Sequence, residues 1–243
     1  MQQNYHILIS YDGTDYFGWQ RQPEKKTIQG LIENALAKIV SSPIPVLGSG
    51  RTDAGVHALA QSAHFKAHLS LDDEELMQAI NGNLPKDIRI TSLQKADPDF
   101  HARKSAKSKT YQYRIIQSPS ISPFLLRYAL HWPSLLDVEK MKDAAALFVR
   151  EADFTPFSSN RLLNPVRTIT HSEIVSKNDE LLYTVEAKGF LRYMVRSIMG
   201  TLLEVGKGKI PPQAIEDLFE NKIRTLSSPT APPQGLCLIK VIY

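Results

Sequence analysis

The segment Gly48-Ser49-Gly50-Arg51-Thr52-Asp53-Ala54-Gly55-Val56-His57-Ala58 concentrates groups able to do chemistry. Its glycines, Gly48, Gly50 and Gly55, permit tight turns and close approach of a ligand to the backbone. The spacing is not that of a nucleotide-phosphate loop, no lysine follows, and the dinucleotide pattern is incomplete, so an NTP site is not expected. Arg51 and Asp53 stand two residues apart, and in extended backbone such side chains point the same way. A guanidinium beside a carboxylate keeps it ionised, and an ionised aspartate can act as nucleophile or base. The same position also suits a turn residue whose side chain bonds its own backbone, so spacing alone leaves both roles open.

A second segment runs from Phe190 through Leu191-Arg192-Tyr193-Met194-Val195-Arg196-Ser197-Ile198-Met199 to Gly200. Arg192, Arg196 and Gly200 are four apart, which on a helix is one face. A glycine inside a helix costs about 1 kcal/mol relative to alanine, so something is expected to pack close against Gly200. An arginine on so apolar a helix needs water or an acidic partner. Tyr111 and Tyr113, at i and i+2, share one face of a strand. They can stack on bases or simply pack in a core. His64 and His68 are four apart, and His57 and His101 have no cysteine or acidic ligand at zinc-like spacing, so no metal site is expected. Serine-hydrolase spacing is also missing. Cys237, the single cysteine, cannot form an internal disulfide, fits a reducing compartment, and reads as a small buried hydrophobe.

These residues need elements to position them. His6–Tyr11 reads as a strand ended by the Asp12-Gly13 turn. Thr27 precedes helical spacing of Ile28, Leu31, Ile32, Ala35, Leu36 and Ile39. Val46-Leu47 starts a short strand into Gly48. Ser70 reads as the N-cap of a helix with Asp72, Asp73, Glu74 and Glu75 in its first turn, where carboxylates favour the positive helix end. Strands are expected from Ile88, at Lys109–Ile116, Arg167–Ile174, Leu181–Ala187 and Leu236–Ile242. Helices are expected from Asp137 through Phe148, over Phe190–Val205 and over Pro211–Phe219. Ser118–Pro123 reads as a loop able to link two halves. This mixture suggests an α+β fold with helices on one face of a mainly antiparallel sheet.

The chain has 243 residues, 42% hydrophobic and 22% charged, ordinary values for a globular protein. No apolar stretch reaches the roughly 20 residues needed to span a bilayer, and the N-terminus lacks the pattern of a secretory signal. Net charge is +4. His101–Leu136 holds no Asp or Glu but includes Arg103, Lys104, Lys107, Lys109, Arg114 and Arg127. Such a stretch is either a phosphate-attracting surface or a solvated basic face.

The segment Gly50–Ala58 resembles the signature of the tRNA pseudouridine synthases that act at positions 38 to 40 in the anticodon arm. Tyr11-Asp12-Gly13, Phe17–Gln22, Asn83-Leu84-Pro85, Asp99–Arg103, Lys109–Tyr113, Asp153-Phe154 and Met194-Val195-Arg196 also resemble that family and occur in its order. The resemblance implies isomerisation of uridine to pseudouridine in tRNA, with no cofactor and no essential metal. It places the catalytic carboxylate on Asp53. It places the tyrosine that packs on the target uracil on Tyr111, and the arginine that pairs with the catalytic aspartate on Arg196. Arg51 matches the arginine that helps hold the target nucleotide out of the stack, an extrusion costing a few kcal/mol.

The resemblance further implies two similar α/β halves forming a continuous, mainly antiparallel sheet, with helices on one face and a central active-site cleft. Residues 1–105 would form the half carrying the aspartate, and 106–243 would complete the cleft. A cytoplasmic homodimer binding the anticodon arm of tRNA is implied, with the basic 101–114 region as a candidate for backbone contacts. A catalytically silent RNA-binding protein on the same scaffold is the alternative. The chain departs from the family pattern at Phe154-Thr155-Pro156-Phe157, where serine is more usual between the two phenylalanines, and at Ser158-Ser159-Asn160-Arg161.

Overall fold

In the computed structural model, residues 2–159, 164–223 and 229–243 are described; Asn160 and Arg161 lie outside them. The described elements are β1 (Gln3–Tyr11), α1 (Ile28–Val40), β2 (Leu47–Gly48), β3 (His57–Ala67), α2 (Asp73–Gly82), β4 (Ile88–Ala96) and β5 (Ser108–Ile116). They continue with β6 (Leu130–His131), α3 (Val138–Ala146), β7 (Glu151–Asp153), β8 (Val166–Lys177), β9 (Glu180–Ala187), α4 (Met194–Gly206), α5 (Ala214–Asn221) and β10 (Leu236–Ile242). The fold is α+β, and one element sequence occurs twice. Strand, helix, two strands, helix and strand run as β1-α1-β2-β3-α2-β4 and again, with β6, β7 and α5 inserted, as β5-α3-β8-β9-α4-β10. No helix among the described residues is long and apolar enough to cross a membrane.

The chain divides into two compact units, Met1–Lys107 with Leu238–Tyr243, and Ser108–Cys237. The Ser118–Pro123 loop therefore lies wholly inside the second unit and does not join the two.

In the first unit β1 is central, antiparallel to β3 on one side and to β4 on the other. Tyr5, Ile7, Ile9 and Tyr11 of β1 are buried while the residues between them are half-buried. Ile28, Ile32 and Leu36 of α1 and Leu76 and Ile80 of α2 complete this core. The N-cap of α2 is Asp72 rather than Ser70. Its carboxylate accepts the Glu75 N–H at 2.8 Å, and the Glu75 carboxylate accepts the Asp72 N–H at 3.2 Å. Two orphan helix donors are thus satisfied by a reciprocal box, which the sequence places two residues later than the serine suggests.

In the second unit the order is β5-β9-β8-β7, all antiparallel, with β6 parallel to β5. Leu181, Tyr183, Val185 and Ala187 of β9 line the buried face. Ser172 of β8 donates its hydroxyl to the Ala145 carbonyl of α3 at 2.7 Å, seating that helix. Asp137 caps α3 as expected, accepting the Lys140 N–H. Phe148, Phe154, Phe157 and Phe219 form an aromatic cluster with centroid separations of 5.1–6.0 Å. At the departure from the family pattern, the Thr155 N–H and hydroxyl both donate to Asp153 Oδ1, at 2.9 and 2.6 Å. A serine hydroxyl would make the same bond.

One part of the first unit responds to pH. His64 Nδ1 accepts the Ala102 N–H at 3.2 Å, and its ring lies 4.7 Å from that of His101. Burial, with added repulsion from His101, Lys66 and His6, holds the His64 pKa below its ordinary value. Burial does the same to His6. Between these lowered values and the ordinary histidine value of about 6.5, the unfolded chain binds more protons than the folded one. Stability is therefore full above about pH 6.5 and lost as pH falls below it. The urea midpoint should fall from pH 7.5 to pH 5.5, and His64→Gln should reduce that difference; an unchanged difference refutes the assignment.

Candidate active site

The loop between β2 and β3 carries Arg51 and Asp53, and other loops of the first unit hold it by backbone bonds. The Trp19 N–H donates to the Thr52 carbonyl at 3.1 Å and the Gly55 N–H to the Tyr16 carbonyl at 3.3 Å, while within the loop the Val56 N–H donates to the Asp53 carbonyl at 3.2 Å. The Tyr11 hydroxyl and the Thr52 hydroxyl are 2.8 Å apart in the buried interior. Thr52 faces inward, whereas Arg51 is exposed and Asp53 half-buried, so the alternation turns both functional candidates away from the core.

Glycines make this cradle possible. A Cβ on Gly13 would lie 2.0 Å from the Val56 carbonyl oxygen, and one on Gly18 would lie 2.6 Å from that of Thr52. Gly18 also has φ +83°, a conformation that side chains other than hydrogen rarely adopt. Thus Tyr11-Asp12-Gly13 and Phe17-Gly18-Trp19 act as the walls against which the Asp53 loop is set. His57 Nδ1 lies 3.0 Å from the Gly13 N–H and 3.2 Å from Asp12 Oδ1. The closer amide makes Nδ1 the acceptor, so the carboxylate contact is not a hydrogen bond in that tautomer.

The second unit carries Tyr111 and Arg196. Tyr111 and Tyr113 lie on the buried face of β5. Phe190 meets the Tyr111 ring edge-on with centroids 5.2 Å apart. Tyr113 donates its hydroxyl to the Pro232 carbonyl at 2.8 Å. Burial raises the Tyr113 pKa well above the usual phenol value, partly offset by the positive charge of Arg196.

Arg196 is fixed by the segment that returns toward β10. Its Nε donates to the Ala231 carbonyl at 2.8 Å, and the Ala231 N–H donates to the Arg196 carbonyl at 2.9 Å. The guanidinium also lies 5.2 Å from the centre of the Tyr193 ring. Gly200 sits one turn further along α4, and a Cβ there would fall 1.9 Å from the Pro229 carbonyl oxygen. The close packing expected from a helical glycine is thus present.

Three expectations need correction. The helix expected from Phe190 begins at Met194, because Tyr193 has φ +63° and breaks the helical path. Arg192 therefore precedes α4 and does not share its face with Arg196. The basic stretch is not one surface: Arg103, Lys104 and Lys107 are exposed, but Lys109 is buried and Arg114 pairs with Glu180. Cys237 is half-buried rather than buried. The supporting roles of Thr52, Phe190 and Pro232 carry no signal in local spacing, because each arises from a contact between segments distant in sequence. Among the described residues no group of three or more His, Cys, Asp or Glu side chains is placed to hold a metal ion.

The chain matches the family described as tRNA pseudouridine synthase over residues 7–103 and 144–243. A tRNA pseudouridine synthase A of Thermodesulfovibrio yellowstonii is 42% identical over 252 residues, covering 99% of both chains. One of Geobacillus sp. is 44% identical over 246 residues, covering 100% of this chain and 99% of the relative. A third, of Caldicellulosiruptor bescii, is 42% identical over 243 residues, covering 99% and 100%.

Proposed function

The chain belongs to the tRNA pseudouridine synthase family, and from that premise we propose that it isomerises uridine to pseudouridine at positions 38, 39 and 40 of tRNA, in the anticodon stem-loop. The reaction breaks the bond from ribose C1′ to N1, turns the uracil, and joins C5 to C1′. N1 gains a proton and C5 loses one, so no redox partner is required. Asp53 is the catalytic carboxylate in this reading. Tyr111 packs on the target base, Arg51 helps hold the extruded nucleotide, and Arg196 supplies positive charge.

The observation that carries the proposal is the cradle of Gly13, Gly18, Trp19 and Thr52 around the Asp53 loop. A simple turn residue would not need two further segments, Tyr11–Gly13 and Tyr16–Trp19, to fix its backbone. That the relatives are named as synthases favours the enzyme over a silent RNA-binding protein. A homodimer, a cytoplasmic location and backbone contacts from Arg103, Lys104 and Lys107 complete the reading and rest on the family resemblance.

The test is a map of pseudouridine in tRNA from cells lacking the protein. Loss confined to positions 38 to 40 is expected, with restoration by the wild-type chain. Intact modification there defeats the proposed substrate, and loss elsewhere reassigns it.

A further inference from the structure

The loop from Asp12 to Thr27 does more than support the Asp53 loop. Three of its neighbouring residues are turned inward: Tyr16 and Trp19 are buried, and Gly18 is pressed against the backbone of Thr52 to Ala54. Phe17, between them, is 51% exposed. A single exposed aromatic residue is ordinary on a protein surface. Phe17 differs in how firmly it is held. Its N–H donates to the Lys26 carbonyl at 2.9 Å, and its carbonyl accepts from Gln22 Nε2 at 3.1 Å. The Lys25 ammonium lies 4.5 Å from the ring centre. A ring with about half its surface exposed, on a backbone fixed at both its N–H and its carbonyl, beside a cation and one residue from a glycine touching the backbone of Asp53, has the form of a stacking platform.

We infer that Phe17 is a nucleobase-binding residue, taking an unpaired base of the substrate tRNA next to the target uridine, with Lys25 meeting an adjacent phosphate. This rests on the proposed tRNA substrate. An aromatic face accepts any base, because every base has a π-face. The platform would therefore contribute affinity and hold the loop near Asp53 without selecting a sequence. Lys25 adds a charge contact whose strength depends on salt.

The test uses the full chain and an unmodified tRNA transcript. Phe17→Leu keeps apolar volume but removes the π-face, and Phe17→Trp restores one. Leu is expected to raise Kd and KM roughly 10-fold, with kcat within about twofold of wild type. Trp should bind within about twofold of wild type. The slope of log Kd against log salt should be unchanged in Phe17→Leu and should fall by about 1 in Lys25→Ala. The proposal is overturned if Leu binds as wild type does, if Trp loses as much as Leu, or if Leu lowers Tm substantially, which would make the ring a packing element. A wild-type chain that makes no pseudouridine but binds RNA less well after Phe17→Leu would refute the activity and leave the platform standing. An active chain indifferent to Phe17 would do the reverse.

Discussion

Asp53→Asn should abolish pseudouridine formation, by at least about 1,000-fold in kcat, while tRNA binding stays within about twofold of wild type. The two side chains have nearly the same shape, so the change isolates charge and basicity. The Thr52 carbonyl, the Gly55 N–H and the Asp53 carbonyl hold the loop through backbone bonds that the substitution leaves in place. The buried bond between Thr52 and Tyr11 is likewise untouched. Fold and loop position should therefore survive, and a melting curve close to wild type is part of the expectation. An amide can neither attack carbon nor take a proton at neutral pH, whichever atom of the nucleotide the carboxylate addresses. A 1,000-fold loss corresponds to about 4 kcal/mol of barrier, far beyond a typical net hydrogen bond of about 1 kcal/mol. Binding should not suffer, because the substrate is a polyanion and the variant has one negative charge fewer. Release of the C5 proton from labelled uridine measures turnover, and filter binding measures affinity. Retention of more than about a tenth of the activity would remove the carboxylate from the mechanism.

The readable parts of the chain were those whose signals are local. β10 has the expected bounds, and α1, α3 and β5 lie within a residue or two of expectation, because alternation and helical spacing report burial directly. β3 gave no such signal. In His57–Ala67 five consecutive residues, Gln61–Phe65, are buried, so both faces of the strand are covered there and the apolar-polar alternation disappears. Its polar members are spent internally: Gln61 Oε1 accepts from Ser49, and Ser62 bonds His6. α4 starts later than its spacing predicts because a residue held at positive φ, Tyr193, looks like any other helix-compatible residue in sequence. For the site, glycine content flagged the Asp53 loop and Gly200, since a missing side chain implies a close neighbour. It did not say which neighbour. Val56, Thr52 and Pro229 each lie more than 25 positions from the glycine they touch, so only the folded chain identifies them.

Gly200→Ala is the second large effect expected, and it tests whether the strap on α4 matters to both stability and activity. In an unconstrained helix this change is stabilising by about 1 kcal/mol. Here the new methyl would sit 1.9 Å from the Pro229 carbonyl oxygen and 2.7 Å from its carbon, both backbone atoms, so the strap must move. The helix cannot yield instead, since Ile198, Met199 and Leu202 are fully buried. Displacing the strap strains the bond from the Ala231 N–H to the Arg196 carbonyl and the charge-assisted bond from Arg196 Nε to Ala231. Their net worth is about 1 kcal/mol and about 1.5–3 kcal/mol respectively. Losing both outweighs the helical gain, leaving a net destabilisation of roughly 1.5–3 kcal/mol. For a chain of this size Tm should fall by about 3–12 °C. Because Arg196 loses the contact that aims its guanidinium, kcat should also drop at least about tenfold, for an interaction worth about 1.4 kcal/mol in the transition state. Gly82→Ala supplies the control. Gly82 ends α2 with no atom within 4 Å of its missing Cβ, so Tm should hold or rise slightly. Equal responses at the two glycines would show that the Pro229 contact is easily relieved and that Arg196 is aimed by something else.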